Sequence, residues 1–352
     1  MKLKPPRIGF LAVLMLCAMT VSAWSGAGED ALEAGLKLHE AGQPKEALRE
    51  YDRAIRANPK LANAYFNRGN AYYDLGENQR AIRDYSEFIR LAPKDAEAYF
   101  NRANAYRRLK KDASALRDYT EAIKLNPEEP KSYINRGSIY FDGKRYDAAI
   151  KDFSEAIRLN PKDTEVFYNR GNSYLAMNNT EQAINDYNEA ISLDAKLPEA
   201  FYNRGIAYSI VGQDEKAIAD FSSVIDLNSK SADAWYNRGL RYAKLKRHET
   251  AIEDYSEAIR LNPNDAEAPY NRGLAYLSLE KFDHAARDFS EVIRIQPRNG
   301  DAYVYRGISR IYQNRDNEAN ADLQKAFRLN PRLRKKIQPL IEEAKTKAKL
   351  TQ

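Results

Sequence analysis

Apolar and polar positions alternate along this chain in a pattern that repeats every 34 residues, nine times in succession and without insertion or deletion. In the fifth repeat, Phe167, Gly171 and Tyr174 lie at helical spacing, and after a polar break Ala183 and Tyr187 resume that spacing. Each repeat is therefore predicted to form two short amphipathic helices, which we call helix A and helix B.

The repeat has a fixed register. We number positions within each repeat from its first residue, and the nine repeats begin at residues 28, 62, 96, 130, 164, 198, 232, 266 and 300. The turn that ends a repeat carries an Asn-Pro dipeptide at Asn58-Pro59, Asn126-Pro127, Asn160-Pro161, Asn262-Pro263 and Asn330-Pro331. A fixed period of this length is typical of solenoids built from stacked helical hairpins. The pattern therefore predicts an all-α solenoid.

Three positions indicate how closely the two helices of a repeat approach. Position 8 is Gly in every repeat except the third, which has Ala103, and position 20 is Ala in all nine. Minimal side chains at both sites allow two helix backbones to come close together. Position 24 is aromatic in the first eight repeats: Tyr51, Tyr85, Tyr119, Phe153, Tyr187, Phe221, Tyr255 and Phe289. This combination predicts a tight antiparallel hairpin.

The residues at these positions resemble the pattern of the tetratricopeptide repeat (TPR) family. An aromatic residue, Gly, Tyr, Ala, a second aromatic residue, Ala and Pro follow one another as Tyr133, Gly137, Tyr140, Ala149, Phe153, Ala156 and Pro161. Four repeats also contain the tetrapeptide Tyr-Asn-Arg-Gly. The resemblance implies a right-handed superhelical solenoid of nine helical hairpins plus a C-terminal capping helix. It also implies a protein-binding role without catalysis.

One departure from the family pattern carries a specific prediction. Position 7, usually Leu in the family, is Arg in repeats two to nine, from Arg68 to Arg306. Wherever that Arg occurs, position 23 is Asp, from Asp84 to Asp322. We predict an ion pair within each repeat that holds helix A to helix B. The alternative is that these arginines bind a ligand.

The two ends of the chain differ from the repeats. Residues 24–332 form the predicted array, and residues 333–352 form a predicted basic capping helix and tail, with Ile337, Leu340, Ile341 and Ala344 as its apolar face. Residues 1–23 have the features of a secretory signal peptide, namely basic residues, an uncharged run over 8–21 and small residues before the cleavage site. We expect cleavage after Ala23 and a periplasmic or secreted protein.

Two alternatives remain for the N-terminal segment. The first is a retained membrane anchor, although the uncharged run is short for a membrane-spanning helix. The second is a lipoprotein modified at Cys17, although Leu16 is larger than the small residue that such processing prefers. No other stretch is apolar enough to cross a bilayer, so we expect no integral membrane segment after signal removal.

Charge and composition exclude several functional classes. The formal net charge of +6 falls to +3 when the signal peptide is removed. Because the C-terminal tail is more positive than this remaining charge, the array itself is slightly acidic. A nucleic-acid partner is therefore not expected. The only histidines, His39, His248 and His284, occupy different positions in three different repeats, and no phosphate-binding loop or nucleophile motif occurs. We expect no enzymatic activity, metal or cofactor.

A row of asparagines is the main candidate for a binding site. Position 6 on helix A is Asn67, Asn101, Asn135, Asn169, Asn203, Asn237 and Asn271, which we call the asparagine row. An amide offers a donor and an acceptor, so the row could grip the backbone of an extended peptide whatever its sequence. The row resembles the asparagine ladder of the O-GlcNAc transferase superhelix, where the A helices line the concave groove. The alternative is that these amides only bond to neighbouring repeats.

Two further helix A positions predict selectivity. Position 2 is mostly acidic, which favours ligands with Lys or Arg. Position 9 is polar in repeats two to five and apolar in repeats six to nine, where it is Ile206, Leu240, Leu274 and Ile308. These four residues are predicted to bind an apolar end of the ligand, and the alternative is that position 9 is half-buried between repeats.

These features together predict a non-enzymatic adaptor or scaffold that binds an extended peptide segment in its concave groove. The alternative is a structural subunit of a cell-envelope secretion or polysaccharide-export complex.

Overall fold

The computed structural model describes residues 26–350, and all regular structure in that range is α-helical. The predicted signal peptide, residues 1–23, lies outside the described residues. Helix α1 covers residues 26–40. The others are α2 (Pro44–Ala57), α3 (Ala62–Asp74), α4 (Asn78–Leu91), α5 (Ala96–Arg108), α6 (Asp112–Leu125), α7 (Pro130–Asp142), α8 (Tyr146–Leu159), α9 (Thr164–Ala176), α10 (Thr180–Leu193), α11 (Pro198–Ile210), α12 (Asp214–Leu227), α13 (Ala232–Lys244), α14 (His248–Leu261), α15 (Glu267–Ser278), α16 (Phe282–Ile295), α17 (Gly300–Tyr312), α18 (Asp316–Leu329) and α19 (Arg332–Leu350).

The helices alternate as the repeat predicts. Odd-numbered helices from α1 to α17 are the A helices, and even-numbered helices from α2 to α18 are the B helices. The described chain thus consists of nine hairpins followed by a C-terminal helix, and the predicted fold class is confirmed.

The chain divides into two compact units, and each is described by itself. Unit 1 ends at Ser173 and unit 2 begins at Tyr174. In unit 1, each helix from α2 to α7 packs against the next helix in sequence. In unit 2, each helix from α10 to α17 does the same, and α19 packs against α17 and α18. Helices A and B of one repeat are therefore neighbours, and helix B also contacts helix A of the following repeat.

The glycine at position 8 lies very close to the ring at position 24, although the third repeat accommodates Ala103 in one cluster with Tyr119. A Cβ atom added to Gly69 would lie 2.8 Å from Cε1 of Tyr85, and one added to Gly205 would lie 2.9 Å from Cε1 of Phe221. Real Cβ atoms do not approach carbon atoms so closely, so a larger residue would push the two helices apart. The nine alanines at position 20 are at most 1% exposed, which completes the close contact.

The turn between helices A and B uses a left-handed residue at position 15. Lys246 has φ 60°, its N–H bonds to the carbonyl of Ala243 at 3.0 Å, and the N–H of Arg247 bonds to the carbonyl of Tyr242 at 2.9 Å. This Schellman arrangement satisfies the last carbonyls of helix A. Gly212 occupies the same place in the preceding repeat with φ 75°. Side chains other than Gly pay a steric cost in this conformation.

The predicted Arg–Asp ion pairs are confirmed. In seven repeats, Nε and Nη2 of the arginine at position 7 donate to both carboxylate oxygens of the aspartate at position 23 over 2.7–2.9 Å. The hydrogen bonds from Arg238 to Asp254 raise the pKa of the Arg238 guanidinium. Burial raises the pKa of the Asp254 carboxyl, and Arg238 opposes that effect. Each pair fixes helix A to helix B at a partly buried site.

The same arginines also join neighbouring repeats, which the sequence did not predict. The remaining donor, Nη1, bonds to the side chain at position 25 of the preceding repeat over 2.6–3.1 Å in eight repeats. Nη1 of Arg238, for example, donates to Oγ of Ser222 at 2.9 Å. One guanidinium therefore connects three helices.

Helix α19 covers the end of the last repeat. Leu333, Ile337 and Ile341 are at most 7% exposed and form one apolar cluster with residues of α17 and α18. Leu340, which the sequence placed on this face, is instead 46% exposed. Helix α19 therefore packs through the face that contains Ile337 and Ile341.

Candidate binding surface on the A helices

The predicted site residues lie on consecutive A helices at matching positions. The acidic residues at position 2, seven in the nine repeats, are exposed, whereas the asparagine row at position 6 is half-buried. Four members of the row, Asn67 to Asn169, belong to unit 1, and three members, Asn203 to Asn271, belong to unit 2.

In unit 1, the amides of the asparagine row bond within the chain. Nδ2 of Asn101 donates to Oδ1 of Asn70 in the preceding repeat at 3.3 Å, and Oδ1 of Asn70 also accepts from the hydroxyl of Tyr85 at 2.7 Å. The next repeat has the same arrangement, with Asn135 bonded to Asn104 at 3.1 Å. In these repeats, the asparagine at position 9 therefore joins neighbouring repeats through a hydrogen bond. This agrees with the alternative interpretation, in which position 9 is half-buried between repeats.

The remaining members of the row in unit 1 lie at equivalent positions. Nδ2 of Asn67 donates to the backbone carbonyl of Asn63 at 2.8 Å. The backbone carbonyl of Asn169 accepts from the hydroxyl of Ser173 at 2.9 Å. Both side chains are half-buried on helix A.

In unit 2, the row takes a different partner. Nδ2 of Asn237 donates to the hydroxyl of Tyr202 at 3.0 Å and to the carbonyl of Asp233 at 2.8 Å. Nδ2 of Asn271 donates to the hydroxyl of Tyr236 at 3.0 Å and to the carbonyl of Glu267 at 3.0 Å. Both amide hydrogens of each residue are thus in use. Asn203, the third member in this unit, is half-buried at the equivalent place on α11.

These contacts correct the expectation that each amide offers both a donor and an acceptor to a ligand. An Asn amide has two N–H donors and one carbonyl acceptor. At Asn237 and Asn271 the donors are bonded within unit 2, and Oδ1 of each accepts no hydrogen bond from the described residues. These two amides can therefore accept from a ligand N–H without giving up an existing bond.

The tyrosines at position 5 were missed by sequence reasoning. Position 5 is Phe66, Phe100 and Ile134 in repeats two to four, and Tyr168, Tyr202, Tyr236 and Tyr270 in repeats five to eight. In repeats six to eight, the tyrosine hydroxyl at position 5 occurs together with an apolar residue at position 9. Comparison of positions 5 and 9 would have indicated that the asparagine row bonds to an asparagine at position 9 in some repeats and to a tyrosine at position 5 in others.

The apolar residues at position 9 do not form one open surface. Ile206, Leu240 and Leu274 are half-buried. Leu240 packs beside Ala251 and Tyr255 in a core cluster. Ile308 is only 3% exposed, in the cluster that α19 covers, so its predicted place on a binding surface is corrected. The sequence could not indicate this because Ile308 has the same position in the repeat as the other three.

The tyrosines of unit 2 lie in a negative electrostatic environment. Burial, and then the negative charges of Glu267 and Asp265, raise the pKa of Tyr236 to about 12. Burial and the charge of Asp233 likewise raise the pKa of Tyr202. The hydroxyls that hold the asparagine row therefore stay protonated at neutral pH, beside carboxylates at position 2.

Two cavities in unit 1 share Asn101. One of about 270 Å³ is lined by Glu97, Phe100, Asn101 and Lys131 among others. The second, of about 310 Å³, is lined by His39, Asn70, Tyr73, Asp74, Tyr85 and Asn101. Cavities near this size, lined by an aromatic ring and a few polar groups, are typical of sites that hold a ligand side chain.

Among the described residues, the histidine nearest to a carboxylate group is His39 in unit 1. Nε2 of His39 lies 2.9 Å from Oδ2 of Asp74, but residues 26–350 contain no group of three metal-binding side chains. Over the same residues, no helix is both long enough and apolar enough to cross a membrane.

Comparison with known proteins agrees with the repeat architecture. A TPR repeat model matches residues 35–76, 69–110, 137–178, 171–209 and 239–280. Three tetratricopeptide repeat models match residues 96–129, 270–332 and 198–231. Among curated proteins, no sequence matches the chain.

Similar solved structures are TPR proteins. The C-terminal part of a TPR repeat-containing protein from Cytophaga hutchinsonii has a TM-score of 0.60 and 17% identity, covering 67% of this chain and 97% of that one. A tetratricopeptide repeat protein from Parabacteroides merdae has a TM-score of 0.51 and 22% identity, covering 71% and 99%. YrrB, a TPR protein with an unusual peptide-binding site, has a TM-score of 0.48 and 27% identity, covering 51% and 92%. With the repeat models matched over most of its length, this chain belongs to the tetratricopeptide repeat family.

Proposed function

We propose that this protein is a non-enzymatic adaptor or scaffold that binds an extended segment of a partner protein along its A helices. Proteins of the TPR family generally mediate interactions between proteins. The observation that carries the proposal is the row of Oδ1 atoms at position 6, open at Asn237 and Asn271, beside exposed carboxylates at position 2.

The spacing of the row suits an extended ligand. Packed helices lie about 8–10 Å apart, and an extended chain advances about 3.3 Å per residue. One asparagine would then meet roughly every third ligand residue. Because the row accepts and position 2 is acidic, the ligand would donate through its backbone N–H groups and carry Lys or Arg side chains.

The shared cavities of unit 1 add a place for ligand side chains. The cavity beside Phe100 is lined by two carboxylates, Glu97 and Glu129, against one cation, Lys131, so its charge and its aromatic face suit the long cationic side chain of Lys or Arg. Binding through backbone and basic side chains would make the protein tolerant of ligand sequence and selective for charge.

A photoreactive residue placed at two positions of unit 2 tests the binding face. We expect crosslinks to a partner from Asn237 on α13, and none from Glu253, an exposed residue on helix B of the same repeat. Crosslinks from Glu253 alone would contradict the proposal and favour docking through the B helices.

We also propose that the protein works in the periplasm or outside the cell. The proposal rests on the composition of residues 1–23. N-terminal sequencing of the fractionated protein should find Trp24 as the first residue. A chain that begins at Met1 and sediments with membranes would contradict export by a cleaved signal.

A further inference from the structure

The C-terminal corner of unit 2 carries an uncompensated positive surface. Residues 323–341 contain six basic residues and no acidic residue. The six, which we call the basic end, are Lys325, Arg328, Arg332, Arg334, Lys335 and Lys336. All six are exposed, and within the described chain none forms an ion pair. Elsewhere on the protein, exposed arginines are commonly paired with a glutamate three residues away, as Arg294 is with Glu291 at 2.6 Å.

The first helix of unit 1 carries the opposite charge. Residues 26–36 contain Glu29, Asp30 and Glu33, which we call the acidic end, and no basic residue. All three are exposed. Glu33 pairs with Lys37 at 2.6 Å, while Glu29 and Asp30 have no ion-pair partner among the described residues.

Asp30 occupies a position that other repeats use to contact a neighbour. It is at position 3, where repeats two to nine have Ala, Ser or Val that is at most 2% exposed. In those repeats helix A packs against helix B of the preceding repeat, as α5 does on α4 and α17 does on α16. Asp30 therefore lies on the face through which repeats stack, while Glu29 and Glu33 occupy positions 2 and 6 of the same helix. The basic end lies on α18, the last helix of the array, and on the capping helix α19.

We propose that copies of this protein associate head to tail, with the basic end of one copy docked against the acidic end of a second copy. The two surfaces are opposite in sign, exposed, and placed on the first and last helices of the array. Contacts between different surfaces of identical subunits are heterologous, and they produce rings or open chains of subunits rather than closed pairs. Because the attraction is between exposed charges, it should weaken with salt.

Sedimentation velocity of the protein purified from cells that express the full chain tests the proposal. In about 0.01 M salt, where the Debye length is about 30 Å, the weight-average mass should at least double as concentration rises. In about 1 M salt, where that length is about 3 Å, it should return to the monomer value. Monomers at every concentration in low salt would overturn the proposal.

Two charge-reversal variants make the test specific. Glu29→Lys combined with Asp30→Lys makes both ends net positive. Reversal of four residues of the basic end, namely Arg328→Glu, Arg332→Glu, Lys335→Glu and Lys336→Glu, makes both ends net negative. Each variant alone should stay monomeric in low salt, while an equal mixture should associate as the wild-type protein does. A mixture that stays monomeric would overturn the proposal, as would association of either variant alone.

A matched control distinguishes the effect of where the reversed charges lie from the effect of the change in net charge. Reversal of four exposed lysines away from both ends, Lys94→Glu, Lys162→Glu, Lys196→Glu and Lys230→Glu, changes the net charge as much as reversal of the basic end. This control should associate like the wild-type protein. Loss of association in the control would mean that net charge decides, and binding of the wild-type protein to anionic vesicles without self-association would assign the basic end to a membrane surface. Either result overturns the proposal.

Discussion

The amide of Asn237 donates a hydrogen bond of 3.0 Å to the hydroxyl of Tyr202 in the preceding repeat. The bond joins two consecutive A helices on the face proposed to bind a ligand. Because the second amide hydrogen bonds to the carbonyl of Asp233, only Oδ1 remains open. The asparagine row thus combines a structural role with the proposed binding role, and mutations there should affect both.

The losses of stability from substituting Asn237 and from substituting Tyr202 should depend on each other. We expect Asn237→Ala and Tyr202→Phe each to lower the free energy of unfolding by about 1 kcal/mol. The double variant should lose less than the sum, because either substitution already breaks the shared bond. Urea denaturation followed by circular dichroism measures all three.

Asn67 provides the matched control at position 6. Its amide bonds only to the carbonyl of Asn63 in its own helix, so Asn67→Ala should cost less than Asn237→Ala. Additive losses in the double variant would show that Asn237 and Tyr202 do not depend on each other.

Two tyrosines at position 24 should respond in opposite directions to the same substitution. The hydroxyl of Tyr51 is buried without a hydrogen-bond partner among the described residues, whereas that of Tyr85 donates to Asn70 at 2.7 Å. Tyr51→Phe should therefore raise the free energy of unfolding at neutral pH by about 1 kcal/mol, and Tyr85→Phe should lower it by a similar amount. Equal effects at both sites, measured by denaturation midpoints, would contradict this assignment.

The difference in free energy of unfolding between Tyr51→Phe and the wild-type protein should increase at alkaline pH. Burial, and then the charge of Glu40, raise the pKa of Tyr51 to about 12. Its unfolded pKa is about 10, so the folded state resists ionisation and the wild-type protein loses stability as pH rises from about 10 to about 12. The variant lacks this group, so its lead should increase by about 2 kcal/mol across that window. A constant lead would mean that Tyr51 ionises freely in the folded protein.

The elements of this fold could be predicted from the sequence because they depend on spacing within one repeat. Gly at position 8, Ala at position 20 and an aromatic residue at position 24 define the hairpin, and the Arg–Asp pairs follow from two positions that change together. Contacts between repeats were harder to predict. The bond from Arg238 to Ser222 and the bond from Asn237 to Tyr202 cross a repeat boundary, so they depend on packing geometry that a period does not contain.

The end of the array shows the same limit. Ile308 has the position of Ile206, Leu240 and Leu274, yet it lies under α19. Leu340 was expected to pack and is exposed. In both cases the identity of the neighbouring helix, rather than the residue itself, decides the environment.

The left-handed turn residue offers a direct gain in stability. Lys246 and Gly212 occupy the same turn position with φ 60° and 75°. Lys246→Gly should raise the free energy of unfolding by about 0.5–1 kcal/mol, because Gly adopts this conformation without a Cβ penalty. Gly212→Lys should lower it by a similar amount, and the double variant should resemble the wild-type protein. Denaturation midpoints that move in the same direction for both single variants would contradict the turn assignment.

Replacing one partner of an Arg–Asp pair should lower the free energy of unfolding far more than replacing both partners. Asp254 is 2% exposed and receives two hydrogen bonds from Arg238, so Arg238→Leu leaves a buried carboxylate without its cation and should cost about 3–5 kcal/mol. Replacing both residues by Leu removes the unpaired charge and should recover most of that loss. Ser222→Ala, which removes the acceptor in the preceding repeat and its own bond to the Ile218 carbonyl, should cost about 1 kcal/mol. Chemical denaturation of the wild-type protein and the three variants measures these differences. If the double variant is no more stable than Arg238→Leu, the ion pair itself stabilises the hairpin, and the loss in Arg238→Leu does not come from an unpaired charge.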